Sequence, residues 1–309
     1  MRSPAVSIIL PTFDRLEYLP DAVESVLAQT FEDWELLIAD DGSAAPTRAY
    51  LRTVAHPPRV RVLCLEHTGR PARVRNAALR EAKGEYVAFM DSDDVWRPDK
   101  LAVQIASLRA RGGCGWSHTN FLLLGAAGRP AREMRAAAGW ILGPLLRTET
   151  VIALPSVVAV RALLDAVGGF DEELVMCEDY DLWLRLAAHS AVVAIDAPLT
   201  VVRRHTQHYG NPAVSFRDSL RVLDKVMHTA AATPYASVIR RERAKNCASL
   251  ARCHAASGDR RAAWRTLLST APASWGHAGW WSEALKAVTV GLAPRGLRSI
   301  VHRHRQRSA

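Results

Sequence analysis

The sequence has no long hydrophobic run and only five cysteines. Its apolar stretches are shorter than the roughly 20 residues that a membrane-spanning helix requires, so no spanning helix is expected. No Cys-x-x-Cys pair occurs, which excludes the usual zinc spacing and is typical of reduced thiols. The first residues contain only a strand-sized apolar run, so no secretory signal is predicted. Together these absences favour a cytoplasmic protein.

Glycine-rich phosphate-binding motifs are absent as well. Neither Gly-x-Gly-x-x-Gly nor Gly-x-x-x-x-Gly-Lys-Ser/Thr occurs, so a dinucleotide fingerprint and a P-loop are both excluded. A bound phosphate would need a metal ion to neutralise it. The net charge of +9 predicts affinity for anions, but no DNA- or RNA-binding pattern is present, so nucleic acid is not an expected partner. Peripheral contact with an anionic membrane fits the basic C-terminal tail better.

Apolar strands alternate with amphipathic helices through the first 124 residues, which predicts a parallel sheet with crossover helices. Strands are expected at residues 7–10, 34–39, 60–65, 86–90 and 116–124. One helix should begin at Pro20 and bury Leu19, Val23, Val26 and Leu27 on one face. Further helices are expected at residues 72–83 and 98–110, the first ended by Gly84 as its C′ glycine.

Three of these strands end in polar residues. Pro11 and Thr12 follow the first strand, Asp40 and Asp41 the second, and an acidic run at residues 91–94 the fourth. Open parallel sheets bind ligands at the carboxyl ends of their strands. Asp91 and Asp93 are two apart, about 7 Å on an extended chain, and can face one ligand. Carboxylate oxygens suit Mg2+ or Mn2+ bound with phosphates, although the run alone also fits a solvated turn.

The second part of the sequence contains another acidic helix start and then turns helical. Glu178 and Asp179 begin an amphipathic segment after a Gly168-Gly169 turn. Beyond residue 211, apolar periodicity predicts helices at residues 216–227, 237–257 and 260–268. A tryptophan cluster and an Arg/His tail follow (Trp275, Trp280, Trp281, Arg295, Arg298, His302, Arg303, His304, Arg305, Arg307). This tail fits either an interfacial helix or a helix packed on the body.

Six motifs in this order resemble the family 2 glycosyltransferases, which are inverting enzymes with the GT-A fold. They lie at residues 6–15, 25–43, 69–76, 91–94, 168–171 and 178–179. The resemblance covers residues 5–205 and implies a Rossmann-like, mostly parallel sheet flanked by helices. It implies a domain at residues 1–210, with a nucleotide-binding half at 1–125 and an acceptor half at 126–210. Residues 211–309 then form a helical C-terminal appendage.

The resemblance also implies a site for a nucleotide-sugar donor. Asp41 would accept the N3–H of a uracil, although thymine and guanine offer comparable donors. Arg75 should meet the nucleotide and Arg70 the phosphates. The implied donor-binding residues are Pro11, Thr12, Phe13, Asp41, Arg70, Arg75, Asp91 and Ser92. Phe13 stands where tyrosine is common in the family and can still stack on a base.

For the chemistry, the resemblance implies Mn2+ or Mg2+ held by Asp93, with His205 as a further ligand. Asp179 would be the general base, and Glu178 would orient it, contact the acceptor or serve as a helix-start acid. The implied activity is inverting transfer from a nucleotide-diphosphate sugar, such as a UDP-sugar, to a glycan or lipid-linked hydroxyl. Such transfer would serve polysaccharide biosynthesis for the cell envelope, at the inner face of the cytoplasmic membrane.

Two other functions compete with this interpretation. A sugar-1-phosphate nucleotidylyltransferase should carry a glycine-rich loop after its first strand, and residues 11–15 lack that run. A catalytically silent nucleotide-sugar-binding module would keep the fold without turnover. The intact Asp41, Asp93 and Asp179 count against a silent module.

Overall fold

The computed structural model describes residues 3–125, 130–134, 137–203 and 211–274, together with Trp281. The chain divides into two compact units, Met1–His208 and Tyr209–Ala309. The first unit combines a sheet with helices, and the described part of the second unit is helical.

A nine-stranded sheet forms the centre of the first unit. Its strands are β1 (Val6–Thr12), β2 (Trp34–Asp40), β3 (Val60–Cys64), β4 (Tyr86–Phe89), β5 (Val95–Trp96), β6 (Cys114–Leu124), β7 (Pro130–Met134), β8 (Val157–Val160) and β9 (Ala191–Arg203). Their order is β3-β2-β1-β4-β8-β6-β9-β5, and β7 pairs with β6. The strands β3, β2, β1 and β4 are parallel, whereas β8 is antiparallel to both β4 and β6. The predicted fold class is confirmed, with antiparallel strands added beyond β4.

Seven α-helices of the first unit lie among the described residues. They are α1 (Leu19–Leu27), α2 (Ala45–Val54), α3 (Pro71–Glu81), α4 (Lys100–Ala110), α5 (Leu142–Leu146), α6 (Arg161–Val167) and α7 (Glu178–His189). A proline lies in the first turn of α1, α2 and α3. Its lack of an N–H costs nothing there, because first-turn N–H groups make no hydrogen bond within the helix. Helix α2 was not predicted. It buries only Thr47 and Leu51, so few apolar residues mark it in the sequence.

The parallel strands are apolar because both faces of the sheet are covered. Every residue of β2 is buried, and Ile8 and Leu36 are wholly inaccessible to solvent. Thr12 pairs with Asp40, and Ile9 pairs with Phe89. The carboxyl ends of β1, β2 and β4 therefore meet at one edge of the sheet.

Two local predictions were wrong. Helix α3 ends at Glu81, and its C-cap is Ala82 in an extended conformation, so Gly84 is not its C′ glycine. A glycine is needed there because a Cβ at Gly84 would lie 2.5 Å from the Ser7 backbone nitrogen of β1. Leu27 is 51% exposed, because it lies at the margin of the buried face of α1, which is formed by Leu19, Ala22, Val23, Ser25 and Val26.

The second unit contains α8 (Pro212–Met227), a 3-10 segment (Ala230–Tyr235), α9 (Ala236–Ala256) and α10 (Arg260–Ser274). Asn211 caps α8, its side chain accepting from the Ala213 N–H at 3.0 Å. Helix α9 packs against both α8 and α10 through small buried residues, which allow close approach (Ala244, Ala248, Ala251 and Ala255). Within the described ranges, no helix has the length and apolar character needed to cross a bilayer.

Candidate active site

A cleft of about 510 Å3 opens at the sheet edge where β1, β2 and β4 end. The start of α7 closes its other side. All predicted site residues within the described chain line this cleft: Pro11, Thr12, Phe13, Asp41, Arg70, Arg75, Asp91, Ser92, Asp93, Glu178 and Asp179. His205 lies outside the described residues. The fold thus brings the predicted residues together, while their individual roles stay predictions.

Asp41 organises the loop between β3 and α3. Its Oδ1 accepts hydrogen bonds from the Thr68 N–H at 2.8 Å and the Thr68 hydroxyl at 3.0 Å. Its Oδ2 accepts from the Gly69 N–H at 2.9 Å and lies 3.1 Å from His67 Nδ1. These three hydrogen bonds hold the carboxylate in place and use three of its roughly four acceptor positions. About one position is left for the ring N–H of a base.

Phe13 and His67 form a stacked pair at the same end of the cleft. Their ring centroids are 4.1 Å apart with an interplanar angle of 24°. Phe13 remains 41% exposed, so its ring can still contact a planar ligand. His67 was not predicted from the sequence. Its position just beyond the carboxyl end of β3, at the edge where the polar strand ends cluster, was the available signal.

The turns after β1 and β2 are tied to each other. Asp40 Oδ1 accepts from the Ser43 N–H at 3.1 Å, so Asp40 supports its own turn. Asp14 has a positive φ of 47°, and its Oδ1 accepts from the Ala44 N–H at 2.7 Å. The Asp14 N–H in turn donates to the Ser43 hydroxyl at 2.9 Å. These bonds fix the position of Phe13 relative to Asp41.

Arg75 joins two acidic residues from opposite sides of the cleft. Its guanidinium donates to Asp91 Oδ1 at 2.8 Å and to Glu178 Oε1 at 2.7 Å. Burial alone would lower the pKa of Arg75, but the two carboxylates outweigh burial and raise it. Arg75 was predicted to meet the nucleotide. In the structure its guanidinium links the acidic run after β4 to the start of α7.

The next residue, Asn76, explains the Gly168-Gly169 motif. The Asn76 amide donates to the Phe170 carbonyl at 2.9 Å and accepts from the Phe170 N–H at 3.0 Å. A Cβ at Gly169, where φ is +68°, would lie 2.9 Å from Asn76 Oδ1. Arg70 Nη1 also reaches across, 3.3 Å from the Glu173 carbonyl. The turn before α7 is therefore held by α3.

The three aspartates after β4 have separate surroundings. Asp91 pairs with Arg75, Asp94 accepts from the Arg203 N–H at 2.9 Å, and Asp93 is 7% exposed at the cleft wall. Burial raises the pKa of Asp91, Arg75 opposes this rise, and the Asp93 charge adds to it. Burial and the charges of Asp91 and Asp93 raise the pKa of Asp94 well above its usual value. Negative charge is thus concentrated at this point.

Such a concentration of carboxylates favours a bound cation. Among the residues that the structure describes, no group of three His, Cys, Asp or Glu side chains is arranged to hold a metal ion. Mg2+ and related ions commonly use only one or two protein carboxylates and take their remaining ligands from phosphates and water. Asp93, next to two carboxylates with raised pKa values, fits that kind of site.

Asp179 and Glu178 occupy the first turn of α7. Cys177 before them has a positive φ of 64°, which turns the chain into the helix. The Tyr180 N–H donates to Asp179 Oδ1 at 2.7 Å. Burial and the neighbouring Glu178 charge raise the pKa of Asp179 to about 7. A carboxylate with such a pKa can accept a proton near neutral pH, which is the property of a general base.

Apolar side chains complete the cleft near Asp179. Leu154, Val175 and Met176 line it and were not predicted. Leu154 belongs to a 3-10 turn before β8, and the other two precede α7. No sequence motif marks them, because the fold alone brings these two segments together.

Comparison with known proteins gives the family. A family model described as "Glycosyl transferase family 2" matches residues 7–115. The UDP-Glc:alpha-D-GlcNAc-diphosphoundecaprenol beta-1,3-glucosyltransferase WfgD of Escherichia coli is 32% identical over 197 residues, which make up 62% of this chain and 73% of WfgD. The chain belongs to glycosyl transferase family 2. This family 2 chain spans only between 29% and 50% of the length of four other relatives.

Solved structures share the fold of this family 2 chain. S. aureus TarS in complex with UDP-GlcNAc superposes with a TM-score of 0.68 at 18% identity, over 93% of this chain and 90% of TarS 1-349. The mannosyltransferase PcManGT from Pyrobaculum calidifontis, in complex with GDP-Man and Mn2+, gives a TM-score of 0.59 at 19% identity, over 94% of this chain and 85% of PcManGT. At these identities the similarity establishes the fold alone.

Proposed function

We infer that this chain transfers a sugar from a nucleotide-diphosphate sugar to an acceptor hydroxyl, with inversion at the anomeric carbon. The observation that carries this proposal is the shared cleft of Asp41, Asp93 and Asp179. Asp41 would bind the nucleobase, Asp93 the metal ion at the diphosphate, and Asp179 would take the proton of the acceptor hydroxyl. Membership of family 2 supports the reaction class.

The nucleotide would bind at the end of the cleft formed by β1 and β2. Phe13 would stack on the base, and Asp41 would accept its ring N–H, with the 67–69 loop holding the carboxylate in place. Pro11, Thr12 and Ser92 would contact the nucleotide, and Arg70 the phosphates. A UDP-sugar is the favoured donor because TarS is solved with UDP-GlcNAc and WfgD is named for UDP-Glc.

Arg75 has a positioning role in this proposal. By pairing with Asp91 and Glu178, it keeps the donor side and the start of α7 at a fixed separation. Its charge also lowers the pKa of Asp179 against the effect of burial. Glu178 would thereby orient the base without taking the proton itself.

Asp93 would hold a divalent cation, as Mn2+ in PcManGT and the acidic surroundings of Asp93 suggest. When bound, such an ion stabilises the charge of the leaving nucleoside diphosphate as a Lewis acid. His205 remains a proposed further ligand. Mn2+ and Mg2+ are both candidates.

Asp179 would take the proton from the acceptor hydroxyl as its oxygen attacks the anomeric carbon. The bond to the diphosphate breaks on the opposite face, and a single displacement inverts the anomeric configuration. The apolar wall of Leu154, Val175 and Met176 lines the same cleft as Asp179 and would face the acceptor. A glycan or lipid-linked acceptor is proposed, in line with the diphosphoundecaprenol substrate in the name of WfgD. The setting would be cell-envelope polysaccharide assembly at the cytoplasmic face of the membrane.

A thermal-shift screen with UDP, GDP, dTDP and CMP, each with Mn2+ or with EDTA, tests the donor site. We expect one nucleoside diphosphate to raise the Tm, with a larger rise in Mn2+. Asp93→Asn should behave in Mn2+ as the unaltered protein does in EDTA, with donor affinity lower by roughly 100-fold. The exposed Asp165→Asn on α6 is the matched control and should respond normally. No shift with any nucleotide would contradict the proposal.

Turnover separates an enzyme from a silent binding module. Release of the nucleoside diphosphate from a UDP-sugar should depend on a polyprenyl-diphosphate-linked sugar acceptor. NMR of the product should show a β linkage from an α-linked donor. Nucleotide binding without release on any acceptor would favour the silent module, and a retained α linkage would refute inversion.

A further inference from the structure

Helix α10 has two different faces. Ala263 and Leu267 are 6% and 5% exposed and lie on the buried side of the helix, which packs on α9. Trp264 and Leu268, one residue further along, are 53% and 67% exposed. Trp264 and Leu268 are therefore large apolar side chains that face solvent.

Arginines flank these two apolar residues. At 100° per residue, Trp264 and Leu268 are neighbours on the helix surface, Arg260 lies on one side of them, and Arg261 and Arg265 lie on the other. All five are exposed and line one shallow surface depression. We name these five residues the α10 stripe: an apolar ridge with one guanidinium group on one side and two on the other.

The α10 stripe has no acidic side chain on its own helix. Helix α10 contains no acidic residue, and Asp259 before it caps the helix by accepting from the Ala262 N–H at 2.9 Å. Across the described part of the chain, no ion pair involves the three arginines of the stripe. By contrast, Arg243 pairs with Asp224 at 2.6 Å, and Lys245 with Glu242 at 2.8 Å.

The composition of the second unit points to an anionic partner. Residues 209–309 contain 17 Lys and Arg against five Asp and Glu, whereas residues 1–208 contain 23 against 26. The whole positive excess of the protein therefore belongs to the second unit, at +12 against −3 for the first. Anionic lipid attracts basic residues at its surface, and Trp and Leu insert at the boundary between headgroups and acyl chains. A nucleic acid would match the arginines but would leave the Trp264–Leu268 ridge without a comparable apolar environment.

We propose that the α10 stripe docks the protein on the surface of an anionic lipid bilayer. Trp264 and Leu268 insert among the headgroups, and Arg260, Arg261 and Arg265 contact lipid phosphates. This function belongs to the second unit and does not depend on sugar transfer in the first.

Vesicle co-sedimentation of the full chain tests the proposal. The protein should pellet with phosphatidylcholine vesicles that contain about one third phosphatidylglycerol, and remain in solution with phosphatidylcholine alone. The variant R260Q/R261Q/R265Q should lower the partition coefficient by on the order of a hundredfold, from three surface charges. The variant W264A/L268A should lower it at least tenfold through lost insertion.

The matched control removes the same charge from the first unit. R48Q/R52Q/R111Q replaces three exposed arginines of α2 and the α4 terminus and should pellet as the unaltered protein does. Equal losses in this control and in the stripe variant would overturn the proposal in favour of net charge alone. Binding that survives both stripe variants would also overturn it, because another segment would then make the contact.

Two further measurements keep the test decisive. Tryptophan emission of the full chain should shift to the blue on adding anionic vesicles, and Trp264→Phe, which preserves the apolar surface, should remove most of that shift. Sedimentation velocity should give the same mass for the unaltered protein and for W264A/L268A. An oligomer that dissociates in this variant, or retention on single-stranded DNA in preference to anionic vesicles, would overturn the lipid assignment.

Discussion

The two units of this chain use charge in opposite ways. In the first, carboxylates are gathered at the edge of a sheet and partly buried, and Arg75 ties two of them together. In the second, arginines on α10 remain exposed around an apolar ridge. Buried charge alters pKa values and positions reacting groups. Exposed charge attracts a surface and is screened by salt. The proposed chemical site and the proposed docking site therefore lie in different units of one chain.

Asp179→Asn should affect the two units most unequally, because it removes the proposed base and leaves the second unit unchanged. We expect kcat to fall by about 1000-fold while the Kd for the donor and vesicle binding stay the same. The measurement is initial-rate kinetics combined with nucleotide titration. Retained turnover would place the base elsewhere.

The pH dependence of the melting temperature shows whether the same variant is folded. Because the folded-state pKa of Asp179 is raised to about 7, the ionised carboxylate disfavours the folded state. Any stability from its protonated form is present below the unfolded pKa and lost as pH rises through 7. Asp179→Asn should therefore melt at a higher temperature than the unaltered protein above pH 7, with little difference below pH 4.

Arg75→Gln should destabilise the first unit. It leaves Asp91 and Glu178 without their shared partner, at a cost of about 3 kcal/mol, or a fall in Tm of roughly 10 °C. Arg73→Gln, on the same helix but 45% exposed, should cost less than about 1 kcal/mol. Thermal melts of both variants decide the matter, and equal losses would refute the positioning role of Arg75.

Phe13→Ala should lower donor affinity by about tenfold, since stacking on a base contributes about 1–3 kcal/mol. Phe13→Tyr should restore it, because the ring is what the base contacts. Isothermal titration with the nucleotide found in the thermal-shift screen gives the result. An unchanged Kd in the alanine variant would mean that the base does not lie on Phe13.

Glu178→Gln gives the smallest and most specific effect, a change in pH dependence. Asp179 acts only when deprotonated, so kcat/KM should rise with pH around 7 in the unaltered protein. The Glu178 charge contributes to that raised pKa, and its removal should move the midpoint towards lower pH. A midpoint that stays in place or rises would show that Glu178 does not act through Asp179.

Motifs at strand ends and helix starts predicted much of the site, because strand ends, turns and helix starts have characteristic residues that are close together in the sequence. Asp41, Asp93 and Asp179 were named from those motifs, and all three line the cleft. His67 was not named, although its place just after β3 was a local signal. The wall of Leu154, Val175 and Met176 was not named either, because it joins segments far apart in the chain, for which a local pattern carries no information. Gly84 was wrongly predicted to end α3 for the same reason, since the glycine is needed for its close approach to β1.

The sequence by itself determined the alternation of strands and helices, the polar strand ends and the six-motif resemblance, because each depends on residues close together in the chain. Only the tertiary structure decided that Arg75 bridges Asp91 and Glu178, that Asp94 turns to Arg203, and that the pKa of Asp179 is raised. The buried face of α10 was also decided by the tertiary structure, because apolar residues occur on two faces of this helix. Packing on α9 selects Ala263 and Leu267 for the core and leaves Trp264 and Leu268 outside. Charge interactions and burial depend on distance in space, which the fold sets and the order of residues does not.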